Sequence, residues 1–172
     1  MRNKIFPIFL IVTFSIIFIV FYKGLQNSSI YTPEIKSETK IPNFNTKEFF
    51  SKDKINSDQI FIGSEYYLLN IWASWCIPCK EEHKYLMDLT KKENIKIIGQ
   101  NYKDNFDNAK NFLLKLDNPY DLIFSDNDGT IAIEWGAYGV PETFLIKNNQ
   151  IIKKIIGPLN EKLLFEIKEL IQ

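Results

Sequence analysis

An apolar strand that leads directly into an amphipathic helix is the feature that most limits how this chain can fold. Residues 67–72 form a short, largely apolar run, and from Pro78 onward the inward-facing positions recur every three or four residues, the period of one helical face. The pattern repeats, with a buried strand over residues 95–101 and an amphipathic helix over residues 106–116. Two consecutive strand–helix units demand a parallel pair of strands, so an α/β domain is predicted.

Shorter elements complete this domain on either side of the two units. The chain has 172 residues, of which 45% are hydrophobic, and this is enough for one globular domain with a hydrophobic core. Asn160 is a suitable N-cap for a last amphipathic helix. The other predicted elements are extended segments at 49–50 and 60–62, a strand at 122–125, a helical turn at 130–135, and a hairpin formed by 143–146 and 151–156.

Both cysteines of the chain, Cys76 and Cys79, lie between the first strand and its helix. A thiol is nucleophilic only as the thiolate, and an ordinary cysteine is mostly protonated at pH 7. At a helix N-terminus, unpaired N–H groups and the positive end of the helix dipole favour the anion, and Pro78 is tolerated there. This position predicts that Cys76 attacks a disulfide or is attacked, and that the inward-facing Cys79 resolves the mixed disulfide.

Three less reactive interpretations of the cysteine pair compete with this one. A zinc site would need two further ligands, and His83 is the one soft ligand that remains in the sequence. A purely structural disulfide across so short a loop would stabilise the fold little. Two inert core thiols would be unusual in an exported protein, where oxidants act on free dithiols. We therefore expect a redox pair that needs neither a metal nor a cofactor.

The N-terminus predicts a membrane anchor. Residues 5–21 carry no charge, and their length is short but sufficient for a bilayer span. No small-residue cleavage site follows, so we predict an uncleaved signal anchor over 1–23, a flexible tether over 24–41 and a globular domain over 42–172. More positive charge precedes the apolar segment than follows it, which places the domain in the periplasm, or outside a single membrane, behind one span of the inner membrane. A cleaved signal with an unusual site is the alternative.

The charge balance argues against a nucleic-acid-binding protein. Lysine and arginine together number 21, and aspartate and glutamate also number 21, so no basic field exists to attract nucleic acid. Arg2, Lys4 and Lys23 flank the apolar segment, and without them the remainder is mildly acidic. The sequence therefore predicts a mildly acidic soluble domain behind the anchor.

Longer motifs make a family resemblance specific. The sequence Trp-Ala-Ser-Trp-Cys-x-x-Cys after a buried strand resembles the active site of the thioredoxin fold, and Val140-Pro141 matches the cis-proline of that fold. From about residue 41 to the end, the chain resembles the membrane-anchored DsbE/CcmG thiol:disulfide interchange proteins of cytochrome c maturation. The motifs that carry this resemblance are Trp-Cys-Ile-Pro-Cys-Lys-Glu-Glu-His at 75–83, Gly-Gln-Asn-Tyr-Lys-Asp at 99–104, Asn-Pro-Tyr at 118–120 and Gly-Ala-Tyr-Gly-Val-Pro-Glu-Thr-Phe-Leu-Ile at 136–146.

The resemblance implies a thioredoxin-like fold, with a central mixed sheet flanked by helices and preceded by one N-terminal transmembrane helix. It also implies a disulfide reductase in an oxidising compartment. Electrons from a membrane thiol-reductant conveyor would pass to the disulfide of the haem-attachment C-x-x-C-H motif in apocytochrome c. The expected partners are therefore apocytochrome c, that conveyor and the rest of the cytochrome c maturation machinery.

The same resemblance makes Cys76 the nucleophile, Cys79 the resolving thiol and Glu82 the acidic residue beside the pair. Thioredoxins carry a buried acid six residues before the first cysteine, where this chain has Asn70. Glu82 lies three residues after Cys79 and shares its helical face, so we predict that it accepts the proton of Cys79. His83 is expected to be a hydrogen-bonded helix residue rather than a catalyst.

Four residues are predicted to contact the substrate. Trp75 is an aromatic residue at the rim, beside the nucleophile, whereas Trp72 is expected in the core. By resemblance, Val140 offers its backbone to an extended substrate segment, and Pro141 denies the cysteine pair a neighbouring N–H. Glu142 follows the proline, and a solvated side chain is the alternative for it.

Three other functions remain open from the sequence. A general thiol oxidase or isomerase of the same fold would carry the same C-x-x-C motif, and its reduction potential would lie far above that of thioredoxin. A redox-inert binding module or chaperone belongs to a different class and would form no mixed disulfide. A peroxidase is the least favoured, because no further cysteine lies upstream in a Thr-containing pocket motif.

Overall fold

The computed structural model describes residues 2–26, 39–62, 66–91 and 95–171. The chain divides into two compact units, Met1–Glu34 and Ile35–Gln172. The predicted tether, residues 24–41, lies largely outside the described residues, and its boundaries stay a prediction. Near its end, Thr39–Lys40 form the first strand, β1.

The first unit contains the predicted apolar helix. Helix α1 runs over Arg2–Gln26, with Pro7 near its start and Lys23 in its last turn. Its segment Phe6–Lys23 is long and apolar enough to cross a membrane, and none of that segment is buried. Among the described residues, this is the one helix that meets both conditions.

The second unit is built on one mixed sheet. In the described residues the strand order is β1-β8-β7-β4-β5-β6-β2-β3, in which β4, β5 and β6 are parallel and the other neighbouring pairs are antiparallel. Strand β4 lies near the middle, between β7 and β5, and all of its residues are buried. The strands after β1 are β2 (Asn45–Glu48), β3 (Lys54–Asn56), β4 (Tyr66–Trp72), β5 (Ile95–Tyr102), β6 (Leu122–Asp126), β7 (Glu142–Lys147) and β8 (Gln150–Ile156).

Helices cover both faces of this sheet. The connections β4–α3–β5 and β5–α4–β6 add strands in the same direction, so right-handed crossovers place α3 and α4 on the same face. Asn160 caps the last helix, as predicted, by accepting a hydrogen bond from Leu163 N at 3.0 Å. The helices after α1 are α2 (Ser57–Ile60), α3 (Ile77–Leu89), α4 (Phe106–Leu116), α5 (Thr130–Glu134) and α6 (Glu161–Leu170).

The alternation of side chains along β4 decides what faces the cysteine-bearing helix. Leu68 and Trp72 belong to the core that also contains residues of α3, α4 and α6. Leu69 and Ile71 belong to the opposite core, with residues of α2 and α5. Because strand side chains alternate with a period of two, Asn70 shares the face of Leu68 and Trp72 and points toward α3.

The two predicted extended segments before β4 are wrong. Residues 57–60 form α2, because Gln59 N donates to the Asn56 side chain at 2.9 Å while Asn56 N donates to the Gln59 side chain at 3.0 Å. This reciprocal pair is a capping box, which starts a helix. At residues 49–50 the chain turns after β2, and Phe49 is buried in that turn. Short apolar runs bury themselves in turns as well as in strands, so their composition alone did not separate the two.

Gly99 in β5 is required by the close packing of two aromatic rings. A Cβ at Gly99 would lie 3.0 Å from Trp72 Nε1 and 3.0 Å from ring carbons of Tyr120, and these two rings are stacked with centroids 5.5 Å apart. We expect Gly99→Val to lower the free energy of unfolding by about 1–3 kcal/mol, because both rings would have to move. Urea denaturation tests this, with Gly139→Ala as the control, since a Cβ there would meet nothing within 4 Å. Equal losses in the two variants would contradict the prediction.

Candidate active site

Cys76 and Cys79 form a disulfide at the junction of β4 and α3, with their Cα atoms 5.3 Å apart. Cys76 is the N-cap of α3, and its Sγ accepts a hydrogen bond from Cys79 N at 3.1 Å. Pro78 lies in the first turn, where its missing N–H has no intrahelical partner to lose. Both cysteines are buried. The pairing and the helix N-terminus agree with the sequence prediction, while the separate roles of the two thiols stay a prediction.

Glu82 lies on the buried face of α3, one turn after Cys79, and its exposed fraction is 0%. Its Oε1 accepts a hydrogen bond from Asn70 Nδ2 at 2.8 Å, and its Oε2 accepts one from Leu159 N at 2.7 Å. Burial raises the pKa of Glu82 to about 7, against the opposing effect of these two hydrogen bonds. At neutral pH both protonation states are therefore populated, as a proton carrier requires. Its role toward Cys79 stays a prediction.

Asn70 connects Glu82 to a buried polar network. Its Nδ2 also donates to Thr143 Oγ1 at 3.0 Å, and its Oδ1 accepts from the Tyr120 hydroxyl at 2.8 Å. Burial and the charge of Glu82 raise the pKa of the Tyr120 hydroxyl well above its usual value. Every polar atom of the Asn70 side chain has a partner, so the network fixes the Glu82 carboxyl in place.

The buried Glu82 is expected to make the protein less stable as the pH rises. Its pKa is raised from 4.5 to about 7, so its contribution to stability is fully present below the unfolded pKa and is lost as the pH rises through about 7. As the pH rises from about 4.5 to slightly alkaline values, this one group should lower the free energy of unfolding by about 3 kcal/mol.

Comparison with Glu82→Gln isolates this effect in urea denaturation across that pH range. In the variant, the free energy of unfolding should fall less as the pH rises, because the contribution of Glu82 is absent. Burial lowers the pKa of His83, so His83 acts in the opposite sense, but it is present in both proteins. An identical decline in wild type and variant would contradict the prediction.

Trp75 is held at the surface by the loop that follows β5. Its side chain is 57% exposed, and its Nε1 donates to the carbonyl of Lys103 at 3.1 Å. Next to it, Ser74 donates to the Asp104 carboxylate from its backbone N at 2.5 Å and from its Oγ at 2.7 Å, and Asn101 Nδ2 donates to the same carboxylate at 3.1 Å. The loop therefore orients the residues just before Cys76. The exposed position is compatible with the predicted substrate contact, which stays a prediction.

The peptide bond between Val140 and Pro141 is cis, as predicted. Val140 is half-buried and packs against both cores, while Pro141 is buried. Both residues precede β7 and so lie outside its strand ladder. This is compatible with a backbone contact to an extended substrate, and the substrate role of Val140 and Pro141 stays a prediction.

Glu142 is not solvated, so the alternative given for it is wrong. Its exposed fraction is 1%. One oxygen, Oε1, accepts hydrogen bonds from Tyr138 N at 2.5 Å and Gly139 N at 3.0 Å, and Oε2 lies 2.9 Å from Lys154 Nζ. Lys154 Nζ also donates to the carbonyl of Gly136 at 2.6 Å. The carboxylate therefore holds the loop before Pro141, and its predicted contact with substrate remains untested.

His83 and Trp72 occupy the structural positions that were predicted for them. His83 is buried, its Nε2 donates to the carbonyl of Asp117 at 2.9 Å, and its ring packs edge-on against Phe112 with centroids 5.3 Å apart. Burial lowers its pKa. Trp72 is 1% exposed and belongs to the core. His83 is therefore a hydrogen-bonded helix residue.

Four residues that shape this site have no role that the sequence alone predicts. Asp104 and Tyr120 lie within motifs that carry the family resemblance, and Asn70 stands where thioredoxins have a buried acid. One usable signal was the position of Asn70, the one side chain in β4 with an amide among aromatic and aliphatic residues. Thr143 also lies within one of these motifs, but its position opposite Asn70 depends on the register of β4 and β7, which the motif does not determine.

A disulfide at the start of a helix, directly after a central strand and one helical turn before a buried carboxyl group, defines the class. The protein is a thiol–disulfide oxidoreductase with a thioredoxin-like fold, in which one cysteine can attack a client disulfide and the other can close the pair.

Comparisons with known proteins agree with this class and identify the family. Residues 38–155 match the AhpC/TSA family. The thiol:disulfide interchange protein DsbE of Haemophilus influenzae is 36% identical over 166 residues, which cover 94% of this chain and 91% of that protein. DsbE of Vibrio cholerae is 39% identical over 142 residues, which cover 75% and 76%. The crystal structure of a putative DsbE from Chlorobium tepidum has a TM-score of 0.68 and 21% identity, and covers 81% of this chain and 100% of that chain.

The chain therefore belongs to the AhpC/TSA family and to the DsbE family of thiol:disulfide interchange proteins. The predicted family, thioredoxin-like fold and enzyme class are confirmed.

Proposed function

We propose that this protein is a membrane-tethered, periplasmic reductase that reduces the disulfide of the haem-attachment C-x-x-C-H motif in apocytochrome c. Membership of the DsbE family supports this, together with the motifs that resemble the interchange proteins of cytochrome c maturation. The apolar segment Phe6–Lys23 supports a single-pass anchor in the inner membrane. A membrane thiol-reductant conveyor is the proposed electron donor.

The observation that carries the reductase mechanism is the Cys76–Cys79 pair with the buried Glu82 one turn further along the same helix. In the reduced protein, the Cys76 thiolate attacks one sulfur of the client disulfide and forms a mixed disulfide, and the other client sulfur leaves as a thiolate. Cys79 then gives its proton to the Glu82 carboxylate and attacks Cys76 Sγ. This step closes the Cys76–Cys79 disulfide and releases the second client thiolate. Two electrons have moved to the client, and the donor returns two electrons to the pair.

Trapping of the mixed disulfide tests the substrate class. In the full chain, Cys79→Ala removes the resolving thiol, so a client attacked by Cys76 stays covalently bound. The variant is expressed in cells that make c-type cytochromes, and the captured proteins are identified by mass spectrometry. The double variant Cys76→Ala/Cys79→Ala is the matched control.

Capture of proteins that bear a C-x-x-C-H motif, joined through a cysteine of that motif, supports the proposal. A broad mixture of secreted proteins would instead favour a general oxidase or isomerase. Failure to trap any cysteine-containing partner would favour a redox-inert binding module.

A further inference from the structure

Tyr120 makes a buried polar contact that the exchange steps above do not use. Its hydroxyl donates to Asn70 Oδ1 at 2.8 Å, and its ring is stacked on Trp72. The turn before β6 fixes its backbone, since Tyr120 N donates to the Asn118 side chain at 3.1 Å. This turn therefore places the phenol against the side-chain amide of Asn70, which in turn donates a hydrogen bond to Glu82.

The Asn70 amide has two orientations, which differ by the exchange of its oxygen and nitrogen. In the structure, Nδ2 faces Glu82 Oε1 and Oδ1 faces the Tyr120 hydroxyl. After a flip, Oδ1 would face Glu82, and a hydrogen bond could form there only if Glu82 carried a proton. The orientation of the amide therefore decides which protonation state of Glu82 is stabilised.

Tyr120 distinguishes these orientations better than Thr143 does. A phenol is more acidic than an alcohol, so it donates a hydrogen bond better than it accepts one, whereas the Thr143 hydroxyl fits either orientation of the amide. A donor on Oδ1 also polarises the amide and strengthens the hydrogen bond from Nδ2 to Glu82.

We propose that Tyr120 is a positioning residue, whose hydroxyl holds the Asn70 nitrogen toward Glu82 and so favours the Glu82 carboxylate. The functional consequence rests on the proposed role of Glu82 as the proton acceptor of Cys79. In the oxidised protein, where the cysteines do not titrate, Tyr120 is the ionisable side chain among the described residues whose pKa is raised by the charge of Glu82. Thr143 of β7 and Leu159 N before α6 contribute neutral groups, and on α3 the His83 ring bonds to the carbonyl of Asp117.

Titration of the Glu82 carboxyl in Tyr120→Phe tests the proposal. The oxidised full chain in detergent micelles is labelled with ¹³C at its glutamate carboxyl carbons, and the Glu82 signal is assigned by its loss in Glu82→Gln. We expect the midpoint of Tyr120→Phe to rise by at least about half a pH unit, a threefold increase in proton affinity. The matched control, Thr143→Val, removes one contact of the same amide but keeps the Tyr120 donor, and should shift the midpoint less.

An unchanged midpoint in Tyr120→Phe, or an equal shift in Thr143→Val, overturns the proposal. If Tyr120→Phe does not fold, 3-fluorotyrosine placed at position 120 gives the same test with the opposite sign. Its more acidic phenol donates more strongly and should lower the midpoint. A midpoint that stays unchanged or rises with fluorotyrosine also overturns the proposal.

The pH dependence of mixed-disulfide resolution separates this proposal from the role of Glu82. One outcome is that Tyr120→Phe shifts the midpoint of the Glu82 titration without shifting the pH profile of resolution. In that case Tyr120 positions the amide as proposed, but Glu82 is not the proton acceptor. If the rate of resolution changes with pH as Glu82 titrates, but Tyr120→Phe leaves the midpoint of that titration unchanged, only the positioning role of Tyr120 is wrong.

Discussion

Replacement of Cys76 by serine is expected to reduce disulfide-reductase turnover to the level of the uncatalysed reaction. A serine hydroxyl at the N-cap of α3 can accept the hydrogen bond that Cys79 N donates to Cys76 Sγ at 3.1 Å, so the helix should form normally. The hydroxyl cannot attack a disulfide sulfur, because exchange requires a thiolate. Reduction of a disulfide-containing protein by the full chain, with thiol release followed over time, measures this loss.

Cys79→Ser is the control, because it should lose turnover yet still form a mixed disulfide through Cys76. Circular dichroism of both variants verifies that the fold is retained. The assignment of the nucleophile would be wrong if Cys76→Ser kept measurable turnover, or if Cys79→Ser failed to form the mixed disulfide while Cys76→Ser formed one.

Glu82→Gln is expected to slow resolution of the mixed disulfide by about 10²-fold or more, the usual contribution of a positioned general base. The pKa of Glu82 is about 7, so in the wild-type protein resolution should slow as the pH falls through 7 and the carboxylate takes up a proton. In the glutamine variant, the rate of resolution should not fall in this pH range, because its side chain does not titrate near neutral pH. Rapid mixing of the reduced protein with a client disulfide over a range of pH values separates formation of the mixed disulfide from its resolution.

Glu81→Gln is the matched control, since Glu81 is the exposed neighbour of Glu82 on the same helix. It should leave both steps unchanged. Glu82→Gln should change resolution and leave the first attack by Cys76 intact, which distinguishes a lost base from a damaged fold. Unaltered resolution in Glu82→Gln would show that another group takes the proton of Cys79.

The elements that place the cysteine pair could be predicted because they depend on local patterns. The apolar run before Cys76, the helical period after Pro78 and the capping residue Asn160 each act over a few residues, and all three predictions are confirmed. The inward orientation of Glu82 also followed from helical spacing.

The partners of Glu82 could not be predicted, because they come from distant parts of the chain. Leu159 lies 77 residues from Glu82, and Tyr120 lies 50 residues from Asn70. These contacts depend on strand order and register, which a single sequence does not determine. The same reason explains Glu142, whose burial depends on Lys154 from the neighbouring strand β8.

Electron exchange with a C-x-x-C-H disulfide is the most direct test of the proposed function. The reduced full chain and an oxidised apocytochrome c segment are mixed without oxygen, and the redox state of each partner is read after acid quenching and thiol labelling. We expect one client disulfide to be reduced for each Cys76–Cys79 disulfide formed, and this client to be reduced faster than a C-x-x-C segment from an unrelated secreted protein. Oxidation of the reduced segment by the oxidised protein, with no reduction in the forward mixture, would contradict it.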